Sequence, residues 1–199
     1  MAENPCLFII EDHPLVREGL TSYFSQTGRW QVTGSASCLE DAKEILSNLA
    51  TDIILLDIQL EDGWGLDIVP WLKMKNQNPA LAVYSAFDDY AHVSAALGMG
   101  VHAYVCKRQN MDKLEQALFK ALKGENSIDS SIQTKLNYVT DLLTLLTKRE
   151  SEIFNQVKKG LSNKEIAIRL NISHRTVENI LCCIYDKTGI KTRLEMQKL

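Results

Sequence analysis

The chain has 199 residues, 45% of them apolar and 24% charged, enough for one large domain or two small ones. That composition excludes wholesale disorder and collagen-like repeats, and no stretch approaches the ~18 apolar residues a membrane span needs. The formal net charge of −3 hides an asymmetry: residues 1–125 hold 10 basic and 17 acidic side chains, residues 126–199 hold 12 and 8. An acidic half before a basic half predicts two domains with different partners, nucleic acid for the second; a chance imbalance of surface charge is the alternative.

Met1 to Pro5 lacks the basic and long apolar regions of a secretory signal. The five cysteines, an odd number without C-x-x-C spacing, argue against a disulfide framework or zinc knuckle and for a reduced, cytoplasmic protein. Short apolar runs at 6–10, 31–35, 52–56, 81–85 and 101–106 predict five strands, mostly without polar alternation, as expected of strands buried on both faces. Amphipathic segments separate them. One has Leu15, Gly19, Leu20 and Tyr23 on a face, another Met111, Leu114, Leu118, Ala121 and Leu122. This alternation predicts an α/β doubly wound, five-stranded parallel sheet, whose site lies at the carboxyl ends of the strands.

No proline follows Pro79, and the last 75 residues carry no strand pattern. Gly124 ends a helix. The segment from Glu125 to Thr140 is polar, but Ile128, Ile132, Leu136, Val139 and Leu143 recur at helical spacing and predict a partly helical linker. Thr147-Lys148-Arg149-Glu150 and Ser162-Asn163-Lys164-Glu165 match capping boxes, in which the hydroxyl and the carboxylate satisfy orphan N–H groups reciprocally. Ser173 caps a third helix, Gly189 ends it, and 192–198 is a short fourth. Two helices joined by a three-residue turn make a helix-turn-helix in a small all-α domain.

Glu11, Asp12, Asp57, Ser85 and Lys107 fall at the ends of predicted strands and should converge. Clustered carboxylates need a cation, and oxygen ligands suit Mg²⁺ better than zinc or copper. A lysine and a hydroxyl beside them suit a phosphoryl group. Phe8-Ile9-Ile10-Glu11-Asp12-His13, Leu55-Leu56-Asp57-Ile58-Gln59, Val83-Tyr84-Ser85-Ala86 and Ala103-Tyr104-Val105-Cys106-Lys107 resemble the receiver domain of two-component response regulators. The resemblance implies that Asp57 accepts a phosphoryl group from a sensor histidine kinase. It also implies that Glu11, Asp12, Asp57 and the Gln59 carbonyl bind Mg²⁺, that Ser85 and Lys107 contact the phosphoryl oxygens, and that Tyr104 is the switch aromatic. Glu61 stands where the family often has proline, and Glu61 and Asp62 add negative charge expected to slow phosphorylation or alter metal affinity. Phe87 is expected to slow water access to the phosphoryl group.

The motifs around Leu146–Glu152, Gly160–Ala167 and Leu170–Asn179 resemble the LuxR-type DNA-binding domain, and together the two halves resemble a NarL/FixJ regulator. The resemblance implies a receiver over 1–123, a linker over 124–143 and a DNA-binding domain over 144–199. It implies a homodimer on double-stranded promoter DNA, with the last helix contributing to the dimer, no membrane partner, and no enzymatic activity beyond the receiver's own phosphoryl transfer and dephosphorylation.

In the reading helix, Val177, Leu181 and Ile184 form the buried face. The DNA-binding candidates are Lys164, Ser173, His174, Arg175, Thr176, Glu178, Asn179, Cys182 and Lys187. Glu178 stands where the family commonly has a cation, so sequence preference should depart from the family's. Cys182 and Cys183 read as two small helix residues, one half-buried, or as redox-sensitive thiols. A second function class is a phospho-dependent protein-interaction switch with altered DNA binding. A phosphatase is disfavoured, because Asp57-Ile58-Gln59 offers no second carboxylate as general acid.

Overall fold

A computed structural model describes residues 4–197 and 199. The first three residues of the N-terminal reading, and Lys198 at the end of the expected last helix, lie outside the described residues. The chain divides into two compact units, one of residues up to Asp88 and His92–Ser130, the other of Asp89–Ala91 and Ser131–Leu199.

The first unit runs β1 (Cys6–Ile10), α1 (Pro14–Gln26), β2 (Gln31–Ala36), α2 (Leu39–Leu46), β3 (Ile53–Leu56), β4 (Gln59–Leu60), β5 (Gly63–Trp64), α3 (Ile68–Met74), β6 (Ala80–Ser85), α4 (Tyr90–Gly98), β7 (Ala103–Cys106), α5 (Met111–Leu122) and β8 (Ser127–Ile128). β4 and β5 form a small antiparallel hairpin. The main sheet is parallel, in the order β2-β1-β3-β6-β7-β8.

Helices cover both faces, which is why Ile53–Leu56 and Ala103–Cys106 are buried along their whole length instead of alternating. Leu7, Ile9, Ile53 and Leu55 pack with Leu20, Phe24, Trp30, Leu114 and Leu118 in one core. Trp30 donates its indole N–H to Glu115 at 2.9 Å, and Arg29 pairs with the same carboxylate, so this buried acid is satisfied.

Two details differ from expectation. α1 turns Leu20 and Phe24 inward and leaves Leu15 86% exposed, because Leu15 sits in the first turn, beyond the core. The sheet has a sixth strand. Ser127 N–H donates to the His102 carbonyl at 2.8 Å and Asp129 N–H to the Tyr104 carbonyl at 3.1 Å, so Ile128 belongs to an edge strand and not to the helical repeat that follows.

That repeat is α6 (Ser130–Thr144), with Ile132, Leu136, Val139 and Leu142 buried; Leu142, not Leu143, carries the inward register. The second unit continues with α7 (Lys148–Lys158), α8 (Asn163–Leu170), α9 (His174–Thr188) and α10 (Arg193–Gln197). Both capping boxes are present. Ile153, Phe154, Val157, Ile166, Val177, Leu181, Ile184 and Met196 form its core. Among the described residues, no helix is long and apolar enough to cross a membrane.

Candidate functional site

Parallel pairing fixes where the site lies. Each central strand hands its next residue into a ladder bond: Glu11 N–H donates to the Ala36 carbonyl at 3.0 Å, Asp57 N–H to that of Ile10 at 2.9 Å, and Lys107 N–H to that of Ser85 at 2.8 Å. The side chains that follow β1, β3 and β7 are therefore held at one end of the sheet.

There the Lys107 ammonium bridges two acids. Its Nζ lies 2.6 Å from Asp57 Oδ2 and 2.8 Å from Glu11. Both carboxylates are almost fully buried, Glu11 at 1% and Asp57 at 6% exposure, so the shared cation offsets charge that would otherwise repel. Burial opposes the charge on Lys107, but the hydrogen bonds to Asp57 and then Glu11 outweigh it and raise the pKa. The other Asp57 oxygen, Oδ1, accepts the Ile58 N–H at 2.6 Å. Asp12 Oδ1 lies 2.7 Å from His13 Nδ1, and this hydrogen bond holds the imidazole pKa above its usual value.

Ligand atoms of Glu11, Asp12, His13 and Asp57 all lie within 4.8 Å of one another, a separation one divalent cation can span. Asp12, His13 and Asp57 line an open cleft of about 580 Å³, together with Gln59, Glu61, Ala86 and Phe87. Ser85 is fully buried, and Tyr104 is buried with its hydroxyl donating to the Phe87 carbonyl at 2.8 Å. The tyrosine is thus already turned inward. Phe87 stacks on His92, ring centroids 4.5 Å apart.

Asp62 does not add to the acidic cluster as expected. Its Oδ2 accepts the N–H groups of Leu39 at 2.7 Å and Glu40 at 3.3 Å, because the β4–β5 turn delivers it to the orphan amides of α2. One contributor carried no sequence signal. Arg17 reaches back from α1 to the carbonyls of Glu11 at 2.7 Å and Asp12 at 3.2 Å and fixes the acidic turn. Gly65 packs against the acceptor's backbone, where a Cβ would stand 1.9 Å from the Asp57 carbonyl oxygen.

The second unit presents a helix pair. α8 ends at Asn171, which adopts the left-handed conformation (φ 52°), and α9 begins after Ser173, whose hydroxyl accepts the Thr176 N–H at 3.0 Å. Val177, Leu181 and Ile184 face inward. Lys164, Ser173, His174, Arg175, Thr176, Glu178, Asn179 and Cys182 are exposed. Cys183 is exposed as well, so neither thiol is half-buried. His174 Nδ1 lies 3.5 Å from Glu178, one turn along the helix. Lys187 turns back on the module and donates to Glu150 at 2.8 Å. That bond, with the amide of Thr147, lowers the Glu150 pKa to about 2.

Residues 7–119 match the family of response regulator receiver domains. The chain is a response regulator. Residues 144–198 match the luxR family of bacterial regulatory proteins, so the receiver is joined to a LuxR-type helix-turn-helix module. The response regulator is 28% identical over 193 residues to the response regulator protein VraR of Staphylococcus saprophyticus, covering 95% of this chain and 92% of VraR. It is 27% identical over 196 residues to the transcriptional regulatory protein YdfI of Bacillus subtilis, with the same coverage, 95% and 92%.

Among solved structures it shares the fold of RcsB in a complex with DNA, at TM-score 0.76 and 23% identity over 98% of this chain and 96% of that one. RcsB from Salmonella enterica serovar Typhimurium, bound to a promoter in the presence of the phosphomimetic BeF3−, gives TM-score 0.74 at 22% identity, over 98% and 97%. Receiver fold and all-helical module agree with the expected architecture, save for the sixth strand of this regulator's sheet.

Proposed function

We propose that Asp57 accepts a phosphoryl group from the phosphohistidine of a sensor kinase and that this controls DNA binding by the LuxR-type module. The observation that carries the reading is Lys107, held 2.6 Å from Asp57 and 2.8 Å from Glu11 at the rim of an open cleft. In the transfer, Asp57 Oδ bonds to phosphorus as the phosphorus–nitrogen bond breaks, and the electron pair leaves on the imidazole. Lys107 supplies positive charge beside the incoming oxygens, and the buried Ser85 hydroxyl supplies a donor. Glu11, Asp12, Asp57 and the Gln59 carbonyl would hold Mg²⁺. When bound, that ion offsets negative charge between nucleophile and phosphoryl group. Beyond this self-directed transfer and its reversal by water, the protein is not an enzyme.

Tyr104 serves as the switch aromatic, its hydroxyl reading the position of the Phe87 carbonyl. Receiver, linker and DNA-binding domain follow the spans 1–123, 124–143 and 144–199. α9 enters the major groove of double-stranded DNA, with Asn179 near base edges and Lys164, Ser173, His174, Arg175 and Thr176 near phosphates. Relatives caught on DNA support this reading. Lys187 adds less charge to DNA than its position suggests, since it serves Glu150. The active species is a homodimer, and both partners are met in the cytoplasm. Glu178 on the reading face, beside Cys182, supports a second reading in which the module engages a protein.

Intact mass after acetyl phosphate and Mg²⁺ tests the acceptor. One phosphoryl group per wild-type chain and none on Asp57→Ala is expected. Equal labelling of Asp57→Ala would overturn the assignment.

A further inference from the structure

The segment joining the two units begins as part of the receiver sheet. β8 pairs in parallel with β7, Ala103 opposite Ser127 and Tyr104 opposite Ile128. Two N–H groups frame this pairing: Ser127 donates to the carbonyl of His102, just before β7, at 2.8 Å, and Asp129, just after β8, donates to the Tyr104 carbonyl of β7 at 3.1 Å. The second acceptor is the residue whose hydroxyl is bonded to the Phe87 carbonyl at 2.8 Å beside the phosphoacceptor cleft. One residue, Tyr104, is therefore fastened at both ends: by its side chain to the β6–α4 connection and by its carbonyl to the chain leaving the receiver. After Asp129 the chain enters α6 at Ser130, and Leu142 of that helix belongs to the core of the second unit.

We infer that β8 is a clip that couples the state of Tyr104 to the linker: it is zipped while the Tyr104 hydroxyl holds Phe87 and unzips when that bond is lost. An edge strand of two residues is suited to this. It has one neighbouring strand, β7, so a change there shifts its population measurably. The alternative, a flexible tether, would transmit nothing from Tyr104. In combination with the proposed acceptor role of Asp57, on which the signalling part of the inference rests, phosphorylation that holds Tyr104 inward also holds β8 on the sheet and sets the start of α6.

Hydrogen exchange at the Ser127 and Asp129 amides of the full chain tests this, with ¹⁹F NMR reporting whether beryllofluoride is bound at Asp57. Without any phosphoryl analogue, Tyr104→Phe keeps the ring and deletes only the hydroxyl bond. Losing one hydrogen bond's net stabilisation raises the open fraction about fivefold, so exchange at Asp129 should quicken by about that factor while the amide of Ile9, in the sheet centre, does not change. Equal exchange in wild type and Tyr104→Phe would overturn the coupling, whatever beryllofluoride does. In wild type, beryllofluoride and Mg²⁺ should slow exchange at both amides. A bound ¹⁹F signal with unchanged exchange would refute the clip. An absent ¹⁹F signal would instead refute the acceptor reading and leave the Tyr104→Phe result to decide the clip. Ser127→Pro, which removes one donor at the first residue of the edge strand, where proline is tolerated, should keep the ¹⁹F signal yet lose the beryllofluoride-induced slowing at Asp129; retained slowing would refute the clip.

Discussion

Gly65→Ala is the sharpest single perturbation of the receiver. A Cβ there would stand 1.9 Å from the Asp57 carbonyl oxygen and 3.1 Å from both Asp57 C and Leu56 Cδ1. Real Cβ atoms do not come within 3.0 Å, so backbone must retreat by about 1 Å at a place where Gly65 N–H is also donated to Ile58 at 2.6 Å. Overpacking of this kind costs about 1–3 kcal/mol, which for a domain of this size lowers the midpoint of the receiver's thermal transition by roughly 4–12 °C. The carbonyl that moves belongs to the nucleophile itself. A displacement of about 1 Å in a positioned group costs on the order of 10²-fold in rate, so labelling by acetyl phosphate should slow far more than the stability loss alone explains. Calorimetry and phosphorylation time courses, both at a temperature where the variant is folded, separate the two effects. A folded Gly65→Ala with wild-type labelling rate would refute the claim that the β5–α3 connection positions Asp57.

Further consequences follow from other contacts. Glu115→Ala strips the buried Trp30 indole of its acceptor and Arg29 of its partner, and should cost about 1–3 kcal/mol in denaturant unfolding of the receiver. Glu150 has a folded pKa of about 2 against a usual 4.5. It therefore contributes stability that is complete above the usual value and lost as pH falls through about 2. Acid titration of the second unit should show that decline in wild type and a flatter one in Glu150→Gln. Phe87→Ala opens the cleft wall beside Asp57 and should shorten the phosphoryl lifetime, measured by decay of the labelled mass; an unchanged lifetime would refute a shielding role. Arg175→Ala should weaken DNA binding and reduce the slope of log affinity against log salt by about 1 if the guanidinium meets a phosphate.

Much of the fold and site was legible because strong local signals agreed with tertiary demands. The apolar runs of β1, β3, β6 and β7 could only be buried strands. The residues after them then had to meet at one edge, which is how Glu11, Asp57 and Lys107 come together. The two capping boxes and Ser173 are local chemistry and stand where the sequence puts them. What escaped were relations set by distant neighbours. β8 is two residues long, and only the free edge of β7 makes it a strand, so Ile128 read as the start of a helix. Asp62 read as one more acid near Asp57, but the tight β4–β5 turn aims it at the amides of α2. Leu15 fitted an apolar stripe, but the first turn of α1 projects beyond the core it was assigned to. Lys187 read as a DNA cation, and its pairing with Glu150 depends on the packing of α7 against α9.

Fluorescence anisotropy of the full chain on duplexes selected from a random pool, at fixed low salt, tests most directly whether Asp57 controls DNA binding. With beryllofluoride and Mg²⁺ the wild-type affinity should tighten about tenfold or more, within the usual range of coupling between two sites, and Asp57→Ala should not respond. A response of Asp57→Ala equal to that of wild type, or no measurable affinity in any state, would contradict the account.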